Sequence, residues 1–83
     1  MAHNLEILYK HQAIKQIKLL DVTDKQRIKT GIENLPLGDI KKLKGYTNSY
    51  RLRVGNYRVL FNLNDNTLEI VAVLPRGGAY KNL

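Results

Sequence analysis

Between Tyr50 and Phe61 apolar and basic side chains alternate, interrupted by Gly55-Asn56 and by the apolar Leu60. This period of two predicts a pair of strands joined by a two-residue hairpin loop. Tyr50, Leu52, Val54, Tyr57, Val59 and Phe61 then share one face, and Arg51, Arg53 and Arg58 the other. A Gly55-Asn56 turn sets Val54 opposite Tyr57 and Arg53 opposite Arg58. Like charges opposed across a sheet are destabilising, so such a face calls for an anionic partner between its guanidiniums.

The rest of the pattern supplies what packs on that hairpin. Leu5 to Tyr9 reads as a short first strand. Ala13, Ile14, Ile17 and Leu20 form the apolar stripe of a helix over about residues 10–20. Thr23 and Gln26 fit a capping box for a second helix carrying Ile28, Ile32 and Leu35, which Pro36 ends near Asn34. The short link between the two predicts a helical hairpin. Residues 37–48 have no clear period. Asn64-Asp65-Asn66-Thr67 is a turn signal, and Leu68 to Leu74 the last strand, stopped by Pro75. Plain alternation from that turn puts Leu68, Ile70, Ala72 and Leu74 on the core face and Glu69, Val71 and Val73 on the arginine face. The expected fold is α+β, β-α-α-β-β-β: an antiparallel sheet with a helical hairpin packed on one face.

Length and composition bound this reading. A chain of 83 residues with 43% hydrophobic content predicts one domain, 1–83, with one modest core. It has no cysteine, hence no disulfide and no Cys-based zinc site. No apolar run approaches the ~20 residues that span a bilayer, and no secretory signal opens the chain. The expectation is a cytoplasmic protein with no membrane partner, no cofactor and no metal.

Charge sharpens the picture. The net charge is +7. Residues 1–40 carry six Lys/Arg against five Asp/Glu, and residues 41–83 carry eight against two. The excess lies in the half that holds the arginine hairpin, which points to RNA or an acidic partner. Lys41, Lys42 and Lys44 read either as a solvated basic loop or as a phosphate-contacting rim. Arg76 lies at the exit of the last strand, with Tyr80 and Lys81 in the tail. His3 and His11 fall away from the arginine face and read as ordinary surface residues.

With these blocks in place, the chain resembles the RelE/ParE superfamily of toxins from bacterial toxin–antitoxin pairs. The resemblance covers the whole order of elements. It is carried by Lys42-Leu-Lys-Gly45, by Tyr50-Arg-Leu-Arg-Val-Gly-Asn-Tyr-Arg-Val-Leu-Phe61, and by Val73-Leu-Pro-Arg-Gly-Gly-Ala-Tyr80. The last block is similar to the family's Gly-His-Arg-x-x-x-Tyr ending, with Leu74 and Pro75 standing where the pattern has Gly and His.

In the RelE branch, the resemblance implies ribosome-dependent, metal-independent cleavage of mRNA in the ribosomal A site, the ribose 2′-hydroxyl attacking its own 3′ phosphate. It implies catalytic roles for Arg53, Arg58, Arg76 and Tyr80 and an RNA contact for Arg51; Lys41, Lys42, Lys44 and Lys81 are expected RNA contacts on their charge alone. Fixed guanidiniums suit this chemistry because negative charge builds on the phosphoryl oxygens. The family often has Lys where this chain has Arg51 and Arg53. An arginine stays protonated, so here it positions and polarises instead of accepting a proton. The implied partners are the ribosome with its mRNA and an acidic antitoxin, in a hetero-oligomer. Two other functions fit the same fold: a ParE-like inhibitor of DNA gyrase, and a catalytically weak, antitoxin-binding member.

Overall fold

A computed structural model describes residues 6–75. The elements are β1 (Glu6–Tyr9), α1 (His11–Lys18), α2 (Val22–Glu33), β2 (Asp39–Lys42), β3 (Ser49–Val54), β4 (Tyr57–Asn64) and β5 (Thr67–Pro75). The five strands form one sheet in the order β1-β5-β4-β3-β2. Two helices pack on one face, as the pattern predicts. The sheet is mixed, because β1 runs parallel to β5 while the other neighbours are antiparallel.

The central hairpin has the expected register: Val54 pairs with Tyr57, Arg53 with Arg58 and Arg51 with Leu60. Gly55 has φ +55°, the positive value that a glycine at the first turn position of a II′ hairpin supplies. Leu52, Val59, Phe61, Leu68, Ile70 and Val73 form the sheet side of the core, and Ala13, Ile28 and Ile32 the helix side. Tyr50 stacks on Phe61 with ring centroids 5.5 Å apart. Tyr57 donates to Asp24 Oδ2 at 3.2 Å, tying β4 to α2. Burial and that carboxylate push the Tyr57 phenol above its ordinary pKa, so it remains a neutral donor.

Three expectations give way. The cap of α2 is Asp21, whose Oδ1 accepts from Asp24 N at 2.8 Å, and not Thr23. Asp is as strong an N-cap as Thr, and standing two residues earlier it lets the helix begin at Val22. Residues 39–42, expected as irregular chain, form the edge strand β2, with Ile40 opposite Leu52 and partly buried on the core.

The third correction concerns β5. Phe61 pairs with Ile70, but Leu60 pairs with Ala72, so Val71 is an extra residue in a β-bulge. Beyond the bulge every side chain changes face relative to plain alternation. Val73, opposite Val59, enters the core. Ala72 and Leu74, opposite Leu60 and Arg58, lie on the arginine face.

One side chain completes this strand. β1 stops alongside Ile70, and past its end the Val73 N–H donates to Gln16 Oε1 of α1 at 2.7 Å. A half-buried backbone donor is thereby satisfied where no strand reaches it.

Candidate functional site

Because β3 and β4 alternate, the face opposite the helices is assembled in rows running across the sheet. One row reads Asp39, Arg53, Arg58, Leu74 from β2 to β5. The next reads Lys41, Arg51, Leu60, Ala72. A third, towards the Asp65-Asn66 turn, reads Ser49, Asn62, Glu69 and, on β1, Leu8. The first two rows carry the basic residues, and the third is a polar ladder of hydroxyl, amide and carboxylate.

The basic rows open into a cleft of about 440 Å³. Its walls are Lys41, Lys42, Lys44, Arg51, Arg53 and Arg58, with Leu43 and Leu60 as apolar lining. The sequence-predicted residues Arg51, Arg53, Arg58, Lys41, Lys42 and Lys44 therefore share one cavity. Arg76, Tyr80 and Lys81 lie outside the described residues, as does His3. His11 begins α1 and is exposed; it does not line the cleft.

Asp39 is the residue that sequence reasoning missed. Its Oδ1 lies 3.5 Å from Arg51 Nη1 and its Oδ2 3.9 Å from Arg53 Nε, and its backbone oxygen accepts from Arg51 Nη1 at 3.2 Å. Part of the anionic partner that the guanidiniums call for is thus internal. The carboxylate is 56% exposed, so water screens the pair from the acid's side and weakens it. A phosphate making two charge-assisted hydrogen bonds, each worth roughly 1.5–3 kcal/mol, outcompetes it. Asp39 orders Arg51 and Arg53 without closing them to an incoming anion. The Arg51 side chain is only 14% exposed, so it is largely held in place. Arg53 Nε is buried, with no hydrogen bond.

The arrangement can do two things chemically. It can grip a polyanion backbone along the Lys41–Lys44 rim, and it can hold guanidiniums against one phosphoryl group at the Arg53–Arg58 pair. No helix among the described residues is long and apolar enough to cross a membrane.

A family model described as the ParE toxin of the type II toxin-antitoxin system parDE matches residues 3–80. The curated toxin RelE3 of Methanocaldococcus jannaschii is 38% identical, over 92% of this chain and 96% of its own. In the crystal structure of a RelB-RelE antitoxin-toxin complex from Methanococcus jannaschii, one chain superposes with a TM-score of 0.76 at 37% identity. That match covers 92% of this chain and 98% of that one. The isolated RelE toxin of E. coli superposes with a TM-score of 0.75 over 94% of this chain and 93% of its own, but at 17% identity, a likeness of fold alone.

Proposed function

The chain belongs to the RelE/ParE superfamily of toxins of type II toxin–antitoxin systems, and from that premise we propose that it is a ribosome-dependent endoribonuclease that cuts mRNA in the A site and so inhibits translation. The observation that carries this reading is the cationic cleft on the sheet face opposite the helices, with Arg53 and Arg58 in register in its lining. Arg58 and Arg53 stabilise the charge that develops as the 2′-oxygen attacks phosphorus and the 5′-oxygen leaves. Arg51, Lys41, Lys42 and Lys44 hold flanking phosphates. Arg76 and Tyr80 join them in the reading carried over from the family, Arg76 on the phosphoryl oxygens and Tyr80 against the nucleotide; Lys81, on its charge alone, joins on the RNA backbone.

A guanidinium does not take the proton from the 2′-hydroxyl. An arginine face therefore works by positioning and charge stabilisation, and gains most when the ribosome already holds the messenger in an in-line geometry. This is why free RNA should be a poor substrate. The likeness to a toxin solved in complex with RelB supports a cognate antitoxin as the second partner. An acidic antitoxin segment would neutralise the cleft, and the resulting complex would be a hetero-oligomer.

The test is induction of the chain in cells followed by primer extension on translated messages. Growth arrest with cuts at ribosome-bound codons, lost in Arg58→Ala, is the expected result. The ParE name of the matching family favours one other reading, inhibition of DNA gyrase. Inhibition of supercoiling by the purified chain, with messages intact, would replace the nuclease by that reading.

A further inference from the structure

The cationic cleft continues past Leu60. A second cavity of about 420 Å³ adjoins it, and Leu43 and Leu60 are walls of both. The further lining includes Tyr46, the bulge residue Val71, and the pair Ser49 and Asn62. Its volume is in the range of small-ligand sites. Val71, the unpaired bulge residue, keeps to this face and lines the cavity.

Tyr46 stands at the mouth on a built turn. Its N–H donates to Leu43 O at 3.3 Å, and Gly45 between them has φ +86°. That is the glycine position of a type II turn. A Cβ at Gly45 would meet nothing within 4 Å, so glycine is needed for backbone conformation and not for space. The turn holds a tyrosine 64% exposed beside an apolar pocket, a position where burial gives it nothing.

We infer that this second cavity takes a nucleobase of the RNA strand whose phosphates occupy the cationic cleft, with the Tyr46 ring as its stacking platform. A single strand carries an anionic backbone and flat apolar bases on the two sides of each sugar. Two contiguous cavities, one lined by cations and one by apolar side chains with an exposed aromatic, match that division. The polar groups at the rim are spent on each other. Ser49 Oγ donates to Asn62 Oδ1 at 2.6 Å, and Asn62 Nδ2 donates to Glu69 Oε1 at 3.2 Å. The base is therefore held by stacking more than by edge recognition, and the subsite tolerates different bases.

This rests on the RNA reading above, and the experiment separates the two. Binding of the full chain to a fluorescent six-nucleotide polyadenylate is followed by anisotropy at low ionic strength. Tyr46→Ala should weaken it about 5- to 100-fold, the loss of one base–aromatic stack. Tyr46→Phe should bind within about twofold of the parent, since the ring is kept. The salt dependence of Tyr46→Ala should match the parent's, because its phosphate contacts are intact. An abasic site walked along the strand should weaken the parent at one position, and binding of that strand should then ignore Tyr46→Ala. Circular-dichroism melting checks that each variant is folded. Equal affinity of the parent and Tyr46→Ala for the intact strand overturns the subsite and leaves the RNA reading standing. A parent chain that does not bind the strand overturns both. Loss of antitoxin binding in Tyr46→Ala with RNA binding unchanged overturns the inference, assigning the surface to a protein partner.

Discussion

The two ends of the sheet face opposite the helices are built on the same strands and differ in how they use their polar groups. Towards the Asp65-Asn66 turn, Ser49, Asn62 and Glu69 bond to one another, Lys10 Nζ lies 3.5 Å from Glu69 Oε2, and Asn48 bonds to Asn64. Donors and acceptors there are matched within the chain. Towards the Gly55-Asn56 turn, six cationic residues line one cleft, and Asp39 reaches in beside Arg51 and Arg53. A ladder that satisfies itself stabilises the sheet and has little left to offer a ligand. An end with excess positive charge is costly for the isolated fold and gains that free energy back when a polyanion binds.

The largest expected effect lies at the basic end. Arg58→Ala should lower cleavage of ribosome-bound message about 100-fold or more, as for loss of a transition-state contact, while Asn64→Ala, outside both cavities, should leave the rate unchanged. Quantified primer extension measures both.

The next effect concerns the bulge that joins the two ends. Plain alternation makes Val71 and Val73 equivalent, whereas the bulge buries Val73 and leaves Val71 half-exposed. Val73→Ala should cost about 2 kcal/mol and Val71→Ala under about 1 kcal/mol, read by urea denaturation. Equal costs would remove the bulge.

At the ladder end, Asn62→Ala should cost about 1 kcal/mol by removing the acceptor of Ser49 and one donor to Glu69, which keeps Lys10, a fall of roughly 4–8 °C in Tm. The salt slope of RNA binding should not change, since no cation is removed. The smallest effect is expected at Asp39. Asp39→Asn should tighten binding of an oligoribonucleotide by a few-fold and change stability by less than about 1 kcal/mol, since an exposed carboxylate that competes with phosphate is removed. Weaker binding would mean that Asp39 orders the arginines more than it screens them.

The basic end was the legible one. Arg51, Arg53 and Arg58 alternate with apolar residues around a glycine turn, and that pattern alone fixes their register and common face. β2 was missed because Asp39-Ile-Lys-Lys42 offers one apolar position and no period to read, and its missing strand hid Asp39 as the counterion of Arg51 and Arg53. The bulge was illegible for the opposite reason. Ile70 to Leu74 is apolar throughout, so no polar residue marks where the face changes. The parallel pairing of β1 leaves no trace in a four-residue strand, since pairing direction is set by the connection and not by hydrophobic period. Tyr46 carried no signal in an unperiodic stretch until the turn at Gly45 set it beside Leu43 and Leu60.

The contrast between the two ends is tested most directly by single-turnover cleavage of a message held in the ribosomal A site, comparing two double variants of equal size. Arg53→Ala with Arg58→Ala should abolish cutting while the chain stays folded. Asn48→Ala with Asn64→Ala, a ladder pair outside both cavities, should cut at the parent rate. Comparable cleavage by the two would contradict the assignment of RNA chemistry to the arginine end of the sheet.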